Sequence, residues 1–553
     1  MEFVSYDIKS SDFDAAGAAS SAIKEQLKRI GADAESIRRT MIAAYEAEMN
    51  VVIHAHGGRL EAALSETAID VDVIDEGPGI PDIELAMKEG FSTASSEARA
   101  LGFGAGLGLP NIKKNSDRLR VTSHVSEGTR VSFTVYLKRE SACAPSIVSL
   151  AASAEDCRDC RRCLAACPTH AVRVRNGRPS ILEHLCVDCT SCIAACSSKA
   201  LTVRDDVSSL AELKNIGDLV LAVPPGLLAS CGAGLSPARV LQGLRRLGFA
   251  DVITVAPFER ALRRAAFTSA NQNIGDGPEA RELPVISPVC PAVVNLIELK
   301  YPSLLPQLAP FDSPWEALQA SQADRRVAYV VSCPGQRSAL VAHEPADSAG
   351  SCVEPGAVYL SPDLVRDAVM ALLAAEGREP ATAGPAGSAN ASAEGGAGHS
   401  AADLGHVLTV TGMEHVMAVL EQIENGLLTD AEVVELYACA GGCFGSPLLP
   451  LDFHVTARRW AQQEPSTACD ETPAALSRRR PYAARPGIRL DPDMARAIDK
   501  LGRMQALTRS LPGKDCGACG APTCAALAED VVMGRATAEL CPYRDNDKEA
   551  RDL

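Results

Sequence analysis

The sequence predicts a multidomain chain of α/β and α+β modules, and three observations carry that expectation. Its 553 residues correspond to about three to five domains at roughly 100–200 residues each. Alternating β-branched runs such as 69–74 stand beside helix-period stretches such as 35–61, so strands and helices are interleaved. The 20 cysteines are grouped: none lies in residues 1–142, eight fall from Cys157 to Cys196, four are Cys290, Cys333, Cys439 and Cys443, and four are Cys516, Cys519, Cys524 and Cys541. The expected order is a mixed α/β unit at 1–140, a loop-rich cluster module at 148–205 and an α/β region at 206–463. An unstructured Ala/Gly/Ser-rich loop is expected at 376–404, a linker at 464–489 and a small helical module at 490–553.

Composition excludes several classes. A formal charge of −16 argues against a basic nucleic-acid surface, and 46% hydrophobic with 22% charged residues argues against a wholly disordered chain. The start, Met1-Glu2-Phe3-Val4-Ser5, has neither a basic nor an apolar leader region, so a cytoplasmic location is expected. No run of roughly 18 apolar residues is present, and no membrane partner is expected. The apolar stretch from Leu219 to Leu228 contains Pro224, Pro225 and Gly226 and suits a buried strand and turn. Cysteine this abundant in a reducing compartment signals metal or redox chemistry more than disulfides. Cys143, Cys231, Cys352 and Cys469 fall outside the groups and are expected to be ordinary buried or surface thiols.

Residues 35–61 read as one long helix, with Ile37, Met41, Ala44, Tyr45 and Met49 at helical spacing. Glu46 and Asn50 share one of its faces at i, i+4. The strand at 69–74 runs into Asp75-Glu76-Gly77-Pro78-Gly79-Ile80, a turn in which Gly77 and Gly79 let the backbone approach a ligand. Gly102-Phe103-Gly104-Ala105-Gly106-Leu107-Gly108-Leu109 then opens a helix, a glycine-rich terminus suited to phosphate oxygens. Gly128-Thr129 closes the set on a strand from Thr129 to Leu137. This ordered set resembles the α/β-sandwich ATPase fold shared by histidine kinases, gyrase and Hsp90, most closely its anti-sigma-factor serine-kinase branch. The resemblance implies ATP and Mg²⁺, with Asp75 on the adenine amino group, Thr129 nearby, Asn50 on the metal, and Gly102, Gly104, Gly106 and Gly108 forming the phosphate lid. Glu46 is then the candidate general base for a serine hydroxyl; the alternative is a hydrogen bond to the metal's water shell. Little sequence precedes the main helix, and His54 and His56 lie within it, so a sensor histidine kinase with its own phosphoacceptor is not expected.

Cys157-x2-Cys160-x2-Cys163-x3-Cys167-Pro168 recurs as Cys186-x2-Cys189-x2-Cys192-x3-Cys196, the bacterial ferredoxin run, in which the fourth cysteine of each run serves the other cluster. Cys157, Cys160, Cys163 and Cys196 are expected to hold one 4Fe–4S cluster, and Cys186, Cys189, Cys192 and Cys167 the other. Zinc does not explain the x2-x2-x3 repetition. Two clusters at such range make an electron relay.

The middle region carries Ser287-Pro288-Val289-Cys290-Pro291-Ala292, Val331-Ser332-Cys333-Pro334-Gly335-Gln336 and Cys439-Ala440-Gly441-Gly442-Cys443. This order resembles the catalytic domain of iron-only hydrogenases. By that resemblance Cys290, Cys333, Cys439 and Cys443 hold a 4Fe–4S cluster, and Cys443 bridges to a diiron unit. The departures are equally informative: Val289 replaces the proton-carrying cysteine, Gln336 a lysine, Val331 a methionine and Ala309 a proton-path serine, while an acidic pair falls on Arg263 and Arg264. Proton reduction needs an unbroken chain of titratable groups, so fast hydrogen turnover is not expected. What remains is either a 4Fe–4S cluster alone or a modified diiron unit.

Leu511-Pro512-Gly513-Lys514-Asp515-Cys516-Gly517-Ala518-Cys519-Gly520, followed by Cys524 and Cys541-Pro542, resembles the small iron–sulfur domain of electron-bifurcating and corrinoid-linked proteins. A further 4Fe–4S cluster is implied, with zinc as the alternative on ligand identity; the chain would then hold about four such clusters. Three functions follow. The leading one is a redox- or hydrogen-responsive regulator whose iron–sulfur half gates an ATP-dependent serine kinase acting on an anti-sigma-factor antagonist, or sequestering a sigma factor. The second is a hydrogenase or other ferredoxin-linked oxidoreductase with an accessory ATPase and a redox partner protein. The third is an ATP-dependent sigma-factor-binding module without phosphate transfer. The anti-sigma resemblance also implies a homodimer.

Overall fold

The computed structural model describes residues 2–544 except 11, 13–15, 66, 94–105, 138–149, 154, 204–205, 208, 214–215, 232–234, 273–283, 342–356, 376–406, 429, 464–475 and 486. The expected loop at 376–404, lid residues Gly102 and Gly104, and Cys143, Cys352 and Cys469 lie outside the described residues. The chain divides into two compact units, one made of Met1–Ala144 with Ala484–Leu553 and one of Pro145–Ala483.

The first unit begins with β1 (Glu2–Lys9), α1 (Ala18–Ile30), α2 (Ala34–His54), β2 (Gly57–Leu64) and β3 (Ala68–Asp75). It continues with α3 (Ile83–Ala86), α4 (Gly108–Lys114), β4 (Arg118–His124) and β5 (Gly128–Tyr136). The strands form one antiparallel sheet in the order β1-β2-β3-β5-β4, with α1 and α2 packed together and α2 lying against β1, β2, β3 and β5. Asp33 starts α2 by accepting from Ser36 N at 3.0 Å, an N-cap that satisfies a free donor of the first turn. The helix expected at 35–61 is shorter than that. It ends at His54, and residues 57–61 instead belong to β2, because Gly57 adopts φ +143 and a Cβ on Gly58 would meet Ile74 O at 2.5 Å.

The C-terminal module belongs to this same unit. Its helices α5 (Met494–Ser510) and α6 (Cys524–Val532) pack on each other, and α5 packs on α1 and β1. Ala497, Ile498, Leu501 and Met504, buried at helical spacing on α5, enter one core with Ile23, Leu27 and Ile30 of α1.

The second unit holds two parallel sheets, β11-β10-β13-β14 and β12-β16-β15, built from β10 (Leu219–Val223), β11 (Asp251–Thr254), β12 (Val285–Ser287), β13 (Arg326–Val330), β14 (Ala357–Leu360), β15 (Val407–Thr411) and β16 (Val433–Tyr437). All five residues of β10 are buried, as a central parallel strand covered on both faces requires. The stretch expected as strand and turn becomes β10 followed by a helix, Pro225–Ser230, whose proline sits in the first turn where no N–H is needed. Ahead of the sheets lie two small antiparallel pairs, β6 (Leu150–Ala152) with β9 (Leu201–Val203) and β7 (Val172–Arg175) with β8 (Arg178–Ile181).

Residues 476–483 do not behave as a linker. Arg478 N donates to Pro310 O at 3.0 Å, and the Tyr482 hydroxyl donates to Phe311 O at 2.7 Å. Arg478 Nη1 reaches Glu316 Oε1 at 2.7 Å, and Arg479 Nε reaches Asp312 Oδ2 at 2.6 Å. Asp312 is fully buried and Glu316 nearly so, and buried carboxylates need such partners. The basic triplet supplies them, which holds this segment to its unit.

Candidate nucleotide site and metal centres

Glu46 and Asn50 face α4 from one side of α2. A Cβ on Gly108 would stand 3.0 Å from Asn50 Oδ1 and 3.5 Å from Glu46 Oε2, so the first residue of α4 comes down onto both side chains. Asn111, one turn further along α4, donates from Nδ2 to Glu46 Oε1 at 2.6 Å. The sequence reading missed Asn111; its only signal was the i+3 position from Gly108. Burial pushes the Glu46 carboxyl above its ordinary range, and the Asn111 bond offsets part of that rise. A carboxylate beside an amide oxygen suits a hard cation such as Mg²⁺, which favours oxygen ligands.

Asp75 ends β3 and is fixed by Gly77 N and Thr129 N, which donate to its Oδ1 at 2.8 and 3.1 Å. Gly128, at φ +95, is required there, because a Cβ would lie 2.1 Å from Asp75 O. Thr129 Oγ1 and Ser123 Oγ are 2.9 Å apart, and Ser123 Oγ also accepts from Ile80 N at 2.7 Å, which ties the Gly77–Gly79 turn to β4. His54 stands near Asp75, but burial lowers its pKa. Gly90 N donates to Gly106 O at 3.0 Å, so two backbone positions flanking residues 94–105 meet.

Glu48 is a second residue the sequence did not single out for a role. α1 begins at Gly17 in a left-handed conformation with no side-chain cap of its own. Gly17 N, Ala19 N and Ser20 N donate instead to the Glu48 carboxylate at 3.1, 3.3 and 3.2 Å. Burial raises its carboxyl above the ordinary range, and those backbone bonds offset part of that rise.

Members of the expected cysteine sets lie near one another, with contacts that also run between sets, from Cys192 to Cys163 and from Cys439 to Cys189. Burial pushes the Cys163 thiol up to about 11, and nearby Cys196, Cys160 and Cys157 add to that rise. Burial likewise raises Cys189 to about 11 and raises Cys192, and both sense Cys167. Cys443 is raised by burial, then by Glu259, and further by Cys290, Cys333 and Cys439. Cys516, Cys519, Cys524 and Cys541 line one cavity. Among the described residues no three His, Cys, Asp or Glu side chains are arranged to hold a metal ion. The donor chemistry of each set fits an iron–sulfur cluster. Bound clusters supply one-electron transfer.

The two cysteine-rich regions of the second unit join closely. Thr190 Oγ1 lies 3.3 Å from Cys439 Sγ, Ser338 Oγ donates to Asp188 Oδ2 at 2.5 Å, and Val187 enters the core around Cys290. Val289 is buried beside Cys290, and Ala309 is fully buried. Gln336 accepts at Oε1 from Ser332 N and Oγ at 2.8 and 3.1 Å. Arg263 forms a two-pronged bond with buried Glu435, at 2.7 and 2.6 Å. A pocket beside Cys443 is lined in part by Glu259, Gln336 and Tyr437. Cys231 is buried, with its thiol pushed up to about 12 by burial.

Family models match four stretches. They are a histidine kinase-, DNA gyrase B- and HSP90-like ATPase over 36–140, a 4Fe-4S dicluster domain over 150–197, the C-terminal domain of the iron-only hydrogenase large subunit over 219–328, and an Fe-S cluster domain over 511–543. The anti-sigma F factor of Caldanaerobacter subterraneus is 36% identical over 110 residues, 19% of this chain and 73% of that protein. The serine/threonine-protein kinase RsbT of Bacillus subtilis is 30% identical over 115 residues, 20% of this chain and 80% of that protein. The corrinoid/iron–sulfur protein large subunit of Moorella thermoacetica is 47% identical over 45 residues, 8% of this chain and 10% of that protein. The [FeFe]-hydrogenase HydA1 of Chlamydomonas reinhardtii aligns over 46% of this chain and 86% of its own, at 17% identity and a TM-score of 0.33. Among the described residues no helix is long and apolar enough to cross a membrane. Through its N-terminal ATPase domain the chain belongs to the anti-sigma F factor and RsbT family, and it joins that domain to iron–sulfur and iron-only-hydrogenase-like domains.

Proposed function

We propose that the chain is a cytoplasmic redox- or hydrogen-responsive regulator whose iron–sulfur and hydrogenase-like half gates an anti-sigma-type serine kinase. The observation that carries the proposal is the convergence of Glu46, Asn50, Gly108 and Asn111 on one point of the ATPase domain. In this reading Glu46 accepts the proton of the attacking serine hydroxyl, and burial keeps its carboxylate basic enough to do so. Asn50 ligates Mg²⁺, Asp75 receives the adenine amino group with Thr129 and the Gly77–Gly79 turn around it, and Gly102, Gly104, Gly106 and Gly108 close over the phosphates. The phosphoacceptor is a serine on an anti-sigma-factor antagonist, by analogy with the relatives; a sigma factor is the alternative partner, and the active form is a homodimer. Four 4Fe–4S clusters are held by the cysteine sets given above, with Cys443 also the bridge to any modified diiron unit.

On the redox side, Val289, Gln336 and Ala309 leave no titratable relay at the positions the hydrogenase resemblance requires, which favours sensing over turnover. The pocket retained beside Cys443 supports the second reading, a hydrogenase; sustained hydrogen turnover together with infrared bands of iron-bound CO and cyanide would replace the sensor account. The kinase is tested with labelled ATP and candidate antagonist proteins. Glu46→Ala is expected to lower phosphoryl transfer about 10²- to 10⁴-fold while ATP still binds. Undiminished labelling by Glu46→Ala would remove Glu46 as the base, and no labelling by the native chain would leave a binding module.

A further inference from the structure

We propose that the C-terminal cysteine module, rather than the ferredoxin-like or hydrogenase-like cysteine sets, is the redox input of the ATP site, acting through α5, α1 and the Glu48 cap on α2. This rests on the reading of the chain as a redox-responsive ATPase and narrows its input from the whole iron–sulfur and hydrogenase-like half to this one module.

Three links make the route. The first is the ligand loop. Cys516, Cys519, Cys524 and Cys541 line one cavity, and Cys524 is the first residue of α6. Asp515 Oδ1 accepts from Cys524 N at 2.6 Å, and Thr523 Oγ1 caps the helix by accepting from Ala526 N at 3.0 Å. The loop is therefore fixed to α6, and a change at the cavity is delivered to a helix rather than dissipated in coil.

The second link is the seam between α5 and α1. Leu501 and Met504 are buried in one core with Leu27 and Ile30, and Cys519, Cys524 and Cys541 pack against that core. Leu490 N donates to Arg29 O at 3.2 Å, and Arg29 Nη1 lies 3.9 Å from Met504 Sδ. Gly31, at φ +79, lies so close to Arg489 that a Cβ would meet its Nε at 2.8 Å. Close-packed contacts of this kind shift between discrete arrangements instead of deforming smoothly.

The third link is the cap. α1 begins on the Glu48 carboxylate, which takes three of its N-terminal donors. Glu48 lies two residues from Glu46 and two from Asn50 on α2. Movement of α1 thus acts on the turn of α2 that carries the candidate base and the candidate metal ligand, and Glu48 is a positioning residue. Cys516, Cys519, Cys524 and Cys541 would hold a 4Fe–4S cluster, which would take one electron from a low-potential one-electron donor protein and leave this site one charge more negative, with no bond formed or broken. Cys516 is exposed and gives the donor access, while the other three cysteines are partly shielded, where a new charge is less screened than in water.

The test uses the full chain with all clusters loaded. ATP affinity is measured in oxidised and dithionite-reduced protein, with hydrogen–deuterium exchange followed on the peptide spanning α1. The native chain is expected to show an affinity difference of at least about fivefold, the lower end of allosteric coupling, and a change of protection in α1. Cys516→Ala is expected to abolish the difference. Glu48→Gln is expected to abolish it too while retaining the iron content and paramagnetic signal of the C-terminal cluster. Persistence of the difference in Cys516→Ala, or its loss in Cys160→Ala alone, would move the input to the other unit and overturn this proposal while leaving the gating reading intact. A redox-dependent affinity without any change in α1 would do the same, and that measurement needs no variant to fold. An affinity identical in both states would overturn both.

Discussion

Glu46 illustrates how a single residue's surroundings set its chemistry. The proposed general base must be ionised, so the raised pKa of Glu46 would move the acid limb of the rate profile above the ordinary carboxylate range, and the Asn111 amide would hold that limb down. Asn111→Ala is therefore expected to shift the acid limb of phosphoryl transfer to higher pH, which a pH–rate profile checks; an unshifted limb would detach Glu46 from the profile. In the stability ledger the sign is opposite to that of a salt-bridged acid. A folded-state pKa above the unfolded value gives stability that is full below the unfolded pKa and is lost as pH rises through the folded one. Cys231 offers a second residue-level check. Its thiol is buried, raised to about 12 and 3.2 Å from Leu227 O, so at pH 8 the folded protein should protect it from iodoacetamide and unfolding should expose it. Rapid labelling of the native protein on the Cys231 peptide would contradict that burial. Glu46, Asn50 and Asp75 could be picked out in sequence because they lie on motifs, whereas Asn111 could not, since its partner is 65 positions away.

At the level of elements, local pattern was informative until a distant partner took over. The i, i+4 period of α2 gave its face and register, but the apolar pattern ran on past its end, and Gly57-Gly58 stops the helix because the chain must fit against Ile74. The cap of α1 was invisible for a related reason: Gly17 reads as a poor helix start until Glu48 is placed beside it. Gly128→Ala should cost on the order of 1–3 kcal/mol, since φ +95 is strained for alanine and its Cβ would meet Asp75 O. It should also weaken ATP binding by displacing Asp75; an unchanged melting temperature and affinity would refute the close approach. The segment at 476–483 looked like a linker because it is basic and proline-flanked, and only the buried Asp312 and Glu316 reveal its function. Arg478→Ala should destabilise its unit by on the order of 2–3 kcal/mol, less than the roughly 3–5 for a wholly orphaned buried charge because Arg479 still pairs with Asp312. Chemical denaturation followed by circular dichroism measures this.

At the level of the whole molecule, the cysteine spacing made the modules legible, and the structure regrouped them. The ferredoxin and hydrogenase-like regions, expected as two modules at 148–205 and 206–463, share one unit. The C-terminal module, read as a separate domain behind a linker, instead shares a core with the N-terminal ATPase. No periodicity within α5 could have named α1 as its partner, because an amphipathic face specifies that something covers it and not what does. The association gives the proposed regulator a physical path from the C-terminal cysteines to the ATP site, and it makes the ATPase the place to look for a redox effect. The most direct measurement compares the rate of serine phosphorylation on the antagonist protein by fully loaded chain, oxidised and dithionite-reduced, at equal ATP. The account predicts rates that differ by at least about fivefold; equal rates in the two states would contradict it.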